Sequence, residues 1–194
     1  MSCLEKKLPC TYGLIAFLFV ITTLSCQALM VEYDLDKLVK ESTDIITGKV
    51  VEKASHWNKD KTAIVTDVTI KIDKAVKGKA EKSITVQYPG GAIPKSDGTG
   101  VGMGQSDTPR FDVDEEVFLF LQKEKEIDIF KVTARFQGKF SIIKDKESAK
   151  KMIKGAAKIL ADPETLKIRE VKEYRVPLED FVKNVEEIIN KQEK

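Results

Sequence analysis

The chain has 194 residues, a formal net charge of +2, 42% hydrophobic residues and 33% charged residues. That excludes a disordered chain and a multi-span membrane protein, and it allows one domain with appendages and a real core. The near balance of 33 basic and 31 acidic residues supplies no global field toward nucleic acid, and only four of the bases are arginine (Arg110, Arg135, Arg169, Arg175), the side chain that clamps phosphates and reads base edges.

The N-terminus reads as a secretory signal peptide over residues 1–28. Lys6 and Lys7 precede an apolar run, Gly13 to Leu24, and Cys26 and Ala28 stand at the −3 and −1 positions of a cleavage site. Cleavage there places the mature chain in the periplasm or outside the cell. The uncharged stretch Thr11–Val31 also fits an uncleaved membrane anchor. Cleavage before Cys26 would instead give a lipoprotein, although Leu24 stands one place too close to the cysteine for that signal. All three cysteines, Cys3, Cys10 and Cys26, lie in this segment; removing 28 of 194 residues leaves 166 with no thiol. Disulfides, cysteine nucleophiles and thiolate-held zinc, haem or iron–sulfur groups are thereby excluded from the mature chain. No cofactor is expected. His56 is the single histidine, and the polar run Ser55-His56-Trp57-Asn58 reads as an exposed turn. What survives is carboxylate chemistry or none.

In the mature chain, Leu35, Leu38 and Val39 have helical spacing within a short helix, Asp34–Ser42. A strand is predicted over Thr43–Val51. A clearer one begins at Ile64, where Ile64, Thr66, Val68, Ile70 and Ile72 alternate with polar neighbours. Ser83–Tyr88 is a third strand, stopped by Pro89-Gly90-Gly91. The longest irregular segment, Pro89–Arg110, contains Gly98, Gly100, Gly102 and Gly104. Glu116–Leu121 is a continuous apolar run suited to a strand buried on both faces. A hairpin turn is predicted over Gln122–Glu126, a strand over Ile127–Phe136 and another over Lys139–Ile143. From Lys144 the spacing of Ala149, Met152, Ile153, Ala156, Ile159 and Leu160 predicts a lysine-rich helix ended by Asp162-Pro163. Leu166–Val176 is ambiguous or extended. Pro177 opens a last helix with an apolar stripe from Leu178 to Ile189.

Sequential short strands followed by helices specify a mainly β chain with C-terminal helices: a small antiparallel OB-like barrel of five or six strands, a short N-terminal helix and two C-terminal helices. The expected organisation is a signal peptide at 1–28, a barrel domain at 29–143 and a helical extension at 144–194. The order Asp44–Val51, Val68–Gly78, Ile84–Tyr88, then Phe111-Asp-Val-Asp-Glu-Glu-Val-Phe-Leu-Phe-Leu121 and Phe130–Val132 resembles the netrin-like module. That module is the OB-type barrel of the tissue inhibitors of metalloproteinases. The resemblance is nearest to a group of exported bacterial proteins of unassigned function that share the Pro-Gly-Gly loop and the Phe-x-x-x-Glu-Glu-Val-x-Leu-Phe-Leu strand. It covers about residues 35–143 and implies a fold rather than a function. The inhibitors place a disulfide-braced N-terminal cysteine on the protease zinc. Here cleavage after Ala28 exposes Leu29 and no disulfide is possible, so that mechanism is not carried over.

The glycine segment 98–104 matches no phosphate-binding fingerprint. It reads either as a partner-contact loop, with Met103 as an adaptable apolar tip and Arg110 at its far end, or as a flexible connection. Trp57 is the aromatic expected to be partly exposed, at a contact surface or in rim packing. Asp107, Asp112 and Asp114, with Glu115 and Glu116, could supply oxygen ligands to calcium or a general acid and base, but without a calcium-loop motif; a solvated acidic turn is the simpler reading. The lysine-rich segment could touch anionic lipid, docking onto the barrel being the simpler account. No catalytic residue is assigned. The leading expectation is a non-catalytic exported binding module that contacts another exported protein, as an assembly factor, accessory subunit or inhibitor, with no nucleic acid and no stable membrane insertion. The alternative is a carboxylate-dependent hydrolase or a calcium-dependent carbohydrate-binding protein.

Overall fold

The computed structural model describes residues 31–193 apart from 80, 106, 125–128, 147, 156–157, 162–167 and 172–173. The signal-peptide, anchor and lipoprotein readings, like most of the 122–126 turn's far side, lie outside the described residues. Among those described, no helix is long and apolar enough to cross a membrane.

The short helix α1 spans Leu35–Glu41. Asp34 caps its start, its Oδ1 accepting from the Lys37 N–H at 2.7 Å. Lys77 closes its end by donating to the carbonyls of Val39 and Ser42, at 2.8 and 2.7 Å. The long strands β1 (Asp44–Trp57) and β2 (Ile64–Lys77) then form one antiparallel ribbon. Strand β3 (Ser83–Pro89) pairs with β2. Between it and β6 (Glu116–Lys123) stands a separate hairpin of β4 (Gly91–Pro94) and β5 (Gly100–Met103). Strand β7 (Phe130–Val132) pairs antiparallel with β6 and parallel with β3, and β6 also pairs with β1. The order β1-β2-β3-β7-β6 therefore returns to β1 and closes a five-stranded mixed barrel, compatible with an OB-like fold.

Closure works because β1 pairs along both of its edges, with β2 and with β6. Its ladder with β2 shifts register between Ile45 and Ile46, between Thr47 and Gly48, and between Val50 and Glu52. Gly48 pairs with both Ile72 and Val117 at the bend. Such shifts with a glycine are how a strand curves enough to close a barrel. Strand β6 shows why its continuous apolar run is needed. Val117, Leu119 and Leu121 point into the barrel with Ile46, Val68, Val86 and Phe130. Phe118 and Phe120 point outward into a second core beneath the helices, with Leu38, Val39, Ile45, Ile153, Phe181 and Val185. The reading of this strand as buried on both faces is borne out.

Strands β8 (Lys139–Lys144), β9 (Lys151–Gly155) and β12 (Tyr174–Pro177) extend the sheet outward from β6. The C-terminal helix α2 (Leu178–Gln192) starts directly after Pro177 and buries Phe181 and Val185. A separate pair, β10 (Lys158–Ala161) and β11 (Ile168–Val171), completes the described elements.

The mainly β class, the closed small barrel, the short first helix and the C-terminal helix stand as expected. The lysine-rich helix from Lys144 to Leu160 does not form: its first part is a tight turn and strand β9. Ala149 adopts a left-handed φ of 55°, which ends any helix at its first turn. The Asp145 N–H donates to the Lys150 carbonyl at 2.8 Å, and Asp145 Oδ1 accepts from the Ser148 N–H at 2.8 Å, closing a β8–β9 hairpin. The helix-borne lipid contact falls with it. The strand expected at Ile127–Phe136 is only β7, because left-handed φ angles at Ala134 (50°) and Arg135 (59°) turn the chain into a short 3₁₀ helix, Arg135–Gly138. The irregular segment Pro89–Arg110 contains the β4–β5 hairpin.

Candidate functional site

His56 and Trp57 are on strand β1, not in a turn. They pair with Val65 and Ile64 at the far end of the β1–β2 ribbon, and the turn itself begins at Asn58. There Asn58 Oδ1 accepts from the N–H groups of Thr62 and Ala63, at 2.8 and 3.1 Å, so the connection carries its own hydrogen bonds.

The β4–β5 hairpin is latched onto this end. The Gly90 N–H donates to the Ile64 carbonyl at 2.8 Å, and Thr66 Oγ1 donates to the Gly90 carbonyl at 2.6 Å. Gly91 makes the approach possible: its φ is +140°, and a β-carbon there would lie 2.3 Å from Thr66 Oγ1 and 2.4 Å from Ser55 Oγ. On β5, Met103 Sδ accepts from the Ile64 N–H at 3.2 Å. Ile64 is thus the shared point. Trp57 stands across the ladder from it and Met103 is bonded to its backbone, and both residues are 42% exposed. The structure places both residues, drawn from opposite ends of a 47-residue span of sequence, next to Ile64. Exposed tryptophan and methionine suit an adaptable apolar contact.

The glycine segment forms a turn and strand β5. Lys95 and Thr99 close a three-residue turn, with the Lys95 N–H donating to the Thr99 carbonyl at 2.8 Å. Gly98 takes a φ of +82°, and Asp97 Oδ1 accepts from both the N–H and the hydroxyl of Thr99, which holds its carboxyl below the usual range. Gly100 and Gly102 alternate with Val101 and Met103, so one face of β5 carries side chains and the other carries none. Gly104 follows, with open space where a β-carbon would stand. Arg110 is exposed on the next loop, flanked by buried Pro109 and Phe111.

One feature of this end is not readable from spacing. His56 Nδ1 lies 2.9 Å from the Trp57 carbonyl oxygen, and Nε2 lies 2.9 Å from Asp67 Oδ2. Gln87 Nε2 donates to Asp67 Oδ1 at 2.7 Å, so the chain His56–Asp67–Gln87 crosses β1, β2 and β3. Both ring nitrogens face acceptors, an arrangement that only the imidazolium satisfies at both. The Trp57 carbonyl first, and Asp67 second, raise the His56 pKa above 6.5. A raised folded-state value means that this stabilisation is full below 6.5 and is lost as pH rises through the folded-state pKa. We therefore expect the native protein to lose melting temperature over that window relative to His56→Gln. Parallel curves for the two proteins across about pH 5–9 would contradict the arrangement.

The acidic loop is a set of lysine partners. Asp114 pairs with Lys49 at 2.7 Å, Glu115 with Lys139 and Glu116 with Lys151. Ser141 also donates to Glu115, and Asp107 pairs with Arg135. Asp112 and Asp114 border an open hollow shared with Lys144 and Lys154. Among the described residues no group of three or more His, Cys, Asp or Glu is placed to hold a metal ion, so Asp107, Asp112 and Asp114 do not converge on calcium. Each ion pair satisfies a carboxylate that a calcium ion would need free.

No protein-family model matches this chain, and no curated protein matches it.

Proposed function

We propose that the chain is a non-catalytic exported binding module that contacts another exported protein through the end that carries Trp57 and Met103. The observation that carries this reading is that both neighbour Ile64, Trp57 across the ladder and Met103 bonded to its N–H: two half-exposed apolar residues at one end of a ribbon onto which the hairpin is latched. A surface built this way loses little side-chain and loop entropy on association. The engagement of both His56 nitrogens, and the lysine pairing of Asp114, Glu115 and Glu116, support contact over chemistry. Within this proposal the barrel is of the netrin-like kind, supported by its closed order β1-β2-β3-β7-β6.

The test is capture of a partner by the native chain and by two double variants. Trp57→Ser with Met103→Ser is expected to lower recovery of the partner at least tenfold. Val51→Ser with Val113→Ser, which alters two other exposed apolar residues, is expected to leave it unchanged. Equal recovery by the first variant would refute the surface.

A further inference from the structure

Strands β3 and β7 close the barrel through one parallel bridge, Val86 to Phe130. Beyond it they part and leave a groove of about 390 Å³ between the end of β3 and the start of the 3₁₀ helix. That volume falls within the range of small-molecule sites, roughly 300–1,000 Å³. Its apolar lining includes Val65, Tyr88, Pro109 and Val132. Its polar lining is Gln87, Thr108, Lys131 and Arg135, which all carry hydrogen-bond donors, and no lining residue carries a carboxylate.

Arg135 is the best-placed of these donors. Its side chain is 60% exposed, and Asp107, outside the groove lining, engages Nη1. The guanidinium has five N–H donors in a planar fork, so it can take a second carboxylate. Lys131 is held in the same way by Glu124, also outside the lining. Arg135 reaches this position on a backbone that residues with a β-carbon avoid: φ is positive at both Ala134 and Arg135. The residues on either side of it are held by hydrogen bonds and close packing. The Gln137 side chain donates to the Val31 carbonyl and accepts from the Tyr33 N–H, each at 2.9 Å. The Thr133 N–H donates to the Phe120 carbonyl at 2.9 Å, and Thr133 Oγ1 meets Ser42 Oγ at 2.8 Å. Gly138 is required, because a β-carbon there would lie 2.3 Å from the Thr133 oxygen. This uncommon backbone therefore sets Arg135 at the edge of a cavity with cationic donors and an apolar lining.

We propose that the groove binds a small organic acid. Its aliphatic or aromatic body lies on Val65, Tyr88, Pro109 and Val132, and its carboxylate meets the Arg135 fork with Lys131 adding charge. This site is separate from the Trp57–Met103 surface and does not depend on it.

The test titrates the full-length chain with octanoate and with phenylacetate, using 1-octanol as the uncharged counterpart. Calorimetry gives the affinity and backbone amide shifts give the location. At least one acid is expected to bind saturably, one to one, with shifts at residues 87, 88 and 131–135. Octanol is expected to bind at least tenfold more weakly than octanoate. Arg135→Asn, which keeps a residue tolerant of the left-handed backbone, is expected to lose at least tenfold in affinity, and Lys131→Gln to lose less. Should Arg135→Asn fail to fold, Lys131→Gln and the octanol comparison still decide. No saturable binding of either acid, octanol as tight as octanoate, or unchanged affinity in the folded variants would overturn the proposal.

Discussion

Phe118→Ala is expected to destabilise the folded chain by about 3–5 kcal/mol, the range for emptying a well-packed phenylalanine site. Phe118 is fully buried, with its ring 5.0 Å from Phe181 in an edge-on arrangement and 5.4 Å from Phe120. Phe181 in turn meets Phe140 at 5.3 Å. This aromatic cluster is where α2 is fastened to the outer face of β6. Its members come from three elements that cannot all close on the space left by a lost ring, so a cavity remains and the cost exceeds simple transfer. For a chain of this size the melting temperature should fall by roughly 6–20 °C. The barrel interior uses the other face of β6 and stays packed. Hydrogen exchange should therefore show α2 opening before β1, β2 or β6. A fall below about 1 kcal/mol would mean that α2 is not held by this cluster.

Gly48→Ala carries the second large effect, about 2–3 kcal/mol, and acts by overpacking. A β-carbon at Gly48 would stand 2.5 Å from the Lys71 carbonyl oxygen and 2.8 Å from Ile70 Cγ2. The first of these is backbone in a central ladder and cannot turn away. Relief requires β1 to move off β2 at the point where it also pairs with Val117 of β6, which loosens barrel closure itself. Denaturant unfolding measures it, and a cost near zero would show that the close approach of β1 and β2 is not needed. Gly102→Ala makes the contrast, since a β-carbon there comes no nearer than 3.8 Å to the Gly91 oxygen.

The barrel was legible where one residue type repeats with a strand's period. The alternation from Ile64 to Ile72 and the unbroken run from Val117 to Leu121 each encode burial directly, one face in the first case and two in the second. The lysine-rich segment misled because Ala149, Met152, Ile153 and Ala156 fit a helical stripe equally well. Ladder partners decide it: Met152 and Ile153 lie opposite Ile143 and Ile142, a tertiary constraint that local spacing does not contain. The Asp145–Ser148 pair was the available turn signal. At the candidate surface, Trp57 and Met103 could each be picked out as exposed apolar residues. Their common neighbour Ile64 could not, because Met103 reaches it only when Gly90 and Gly91 fold the hairpin back onto β2. Arg135 carried no motif at all, since left-handed backbone at Ala134 and Arg135 follows from the surroundings of the turn.

The most direct test of contact through the Trp57–Met103 end is site-specific photo-crosslinking in the living cell, with a photoreactive phenylalanine placed singly at positions 57, 103, 51 and 113. The account predicts that positions 57 and 103 capture one and the same protein, while Val51 and Val113, exposed elsewhere, capture neither it nor another in comparable yield. Adducts confined to positions 51 and 113, or different proteins at 57 and 103, would contradict it.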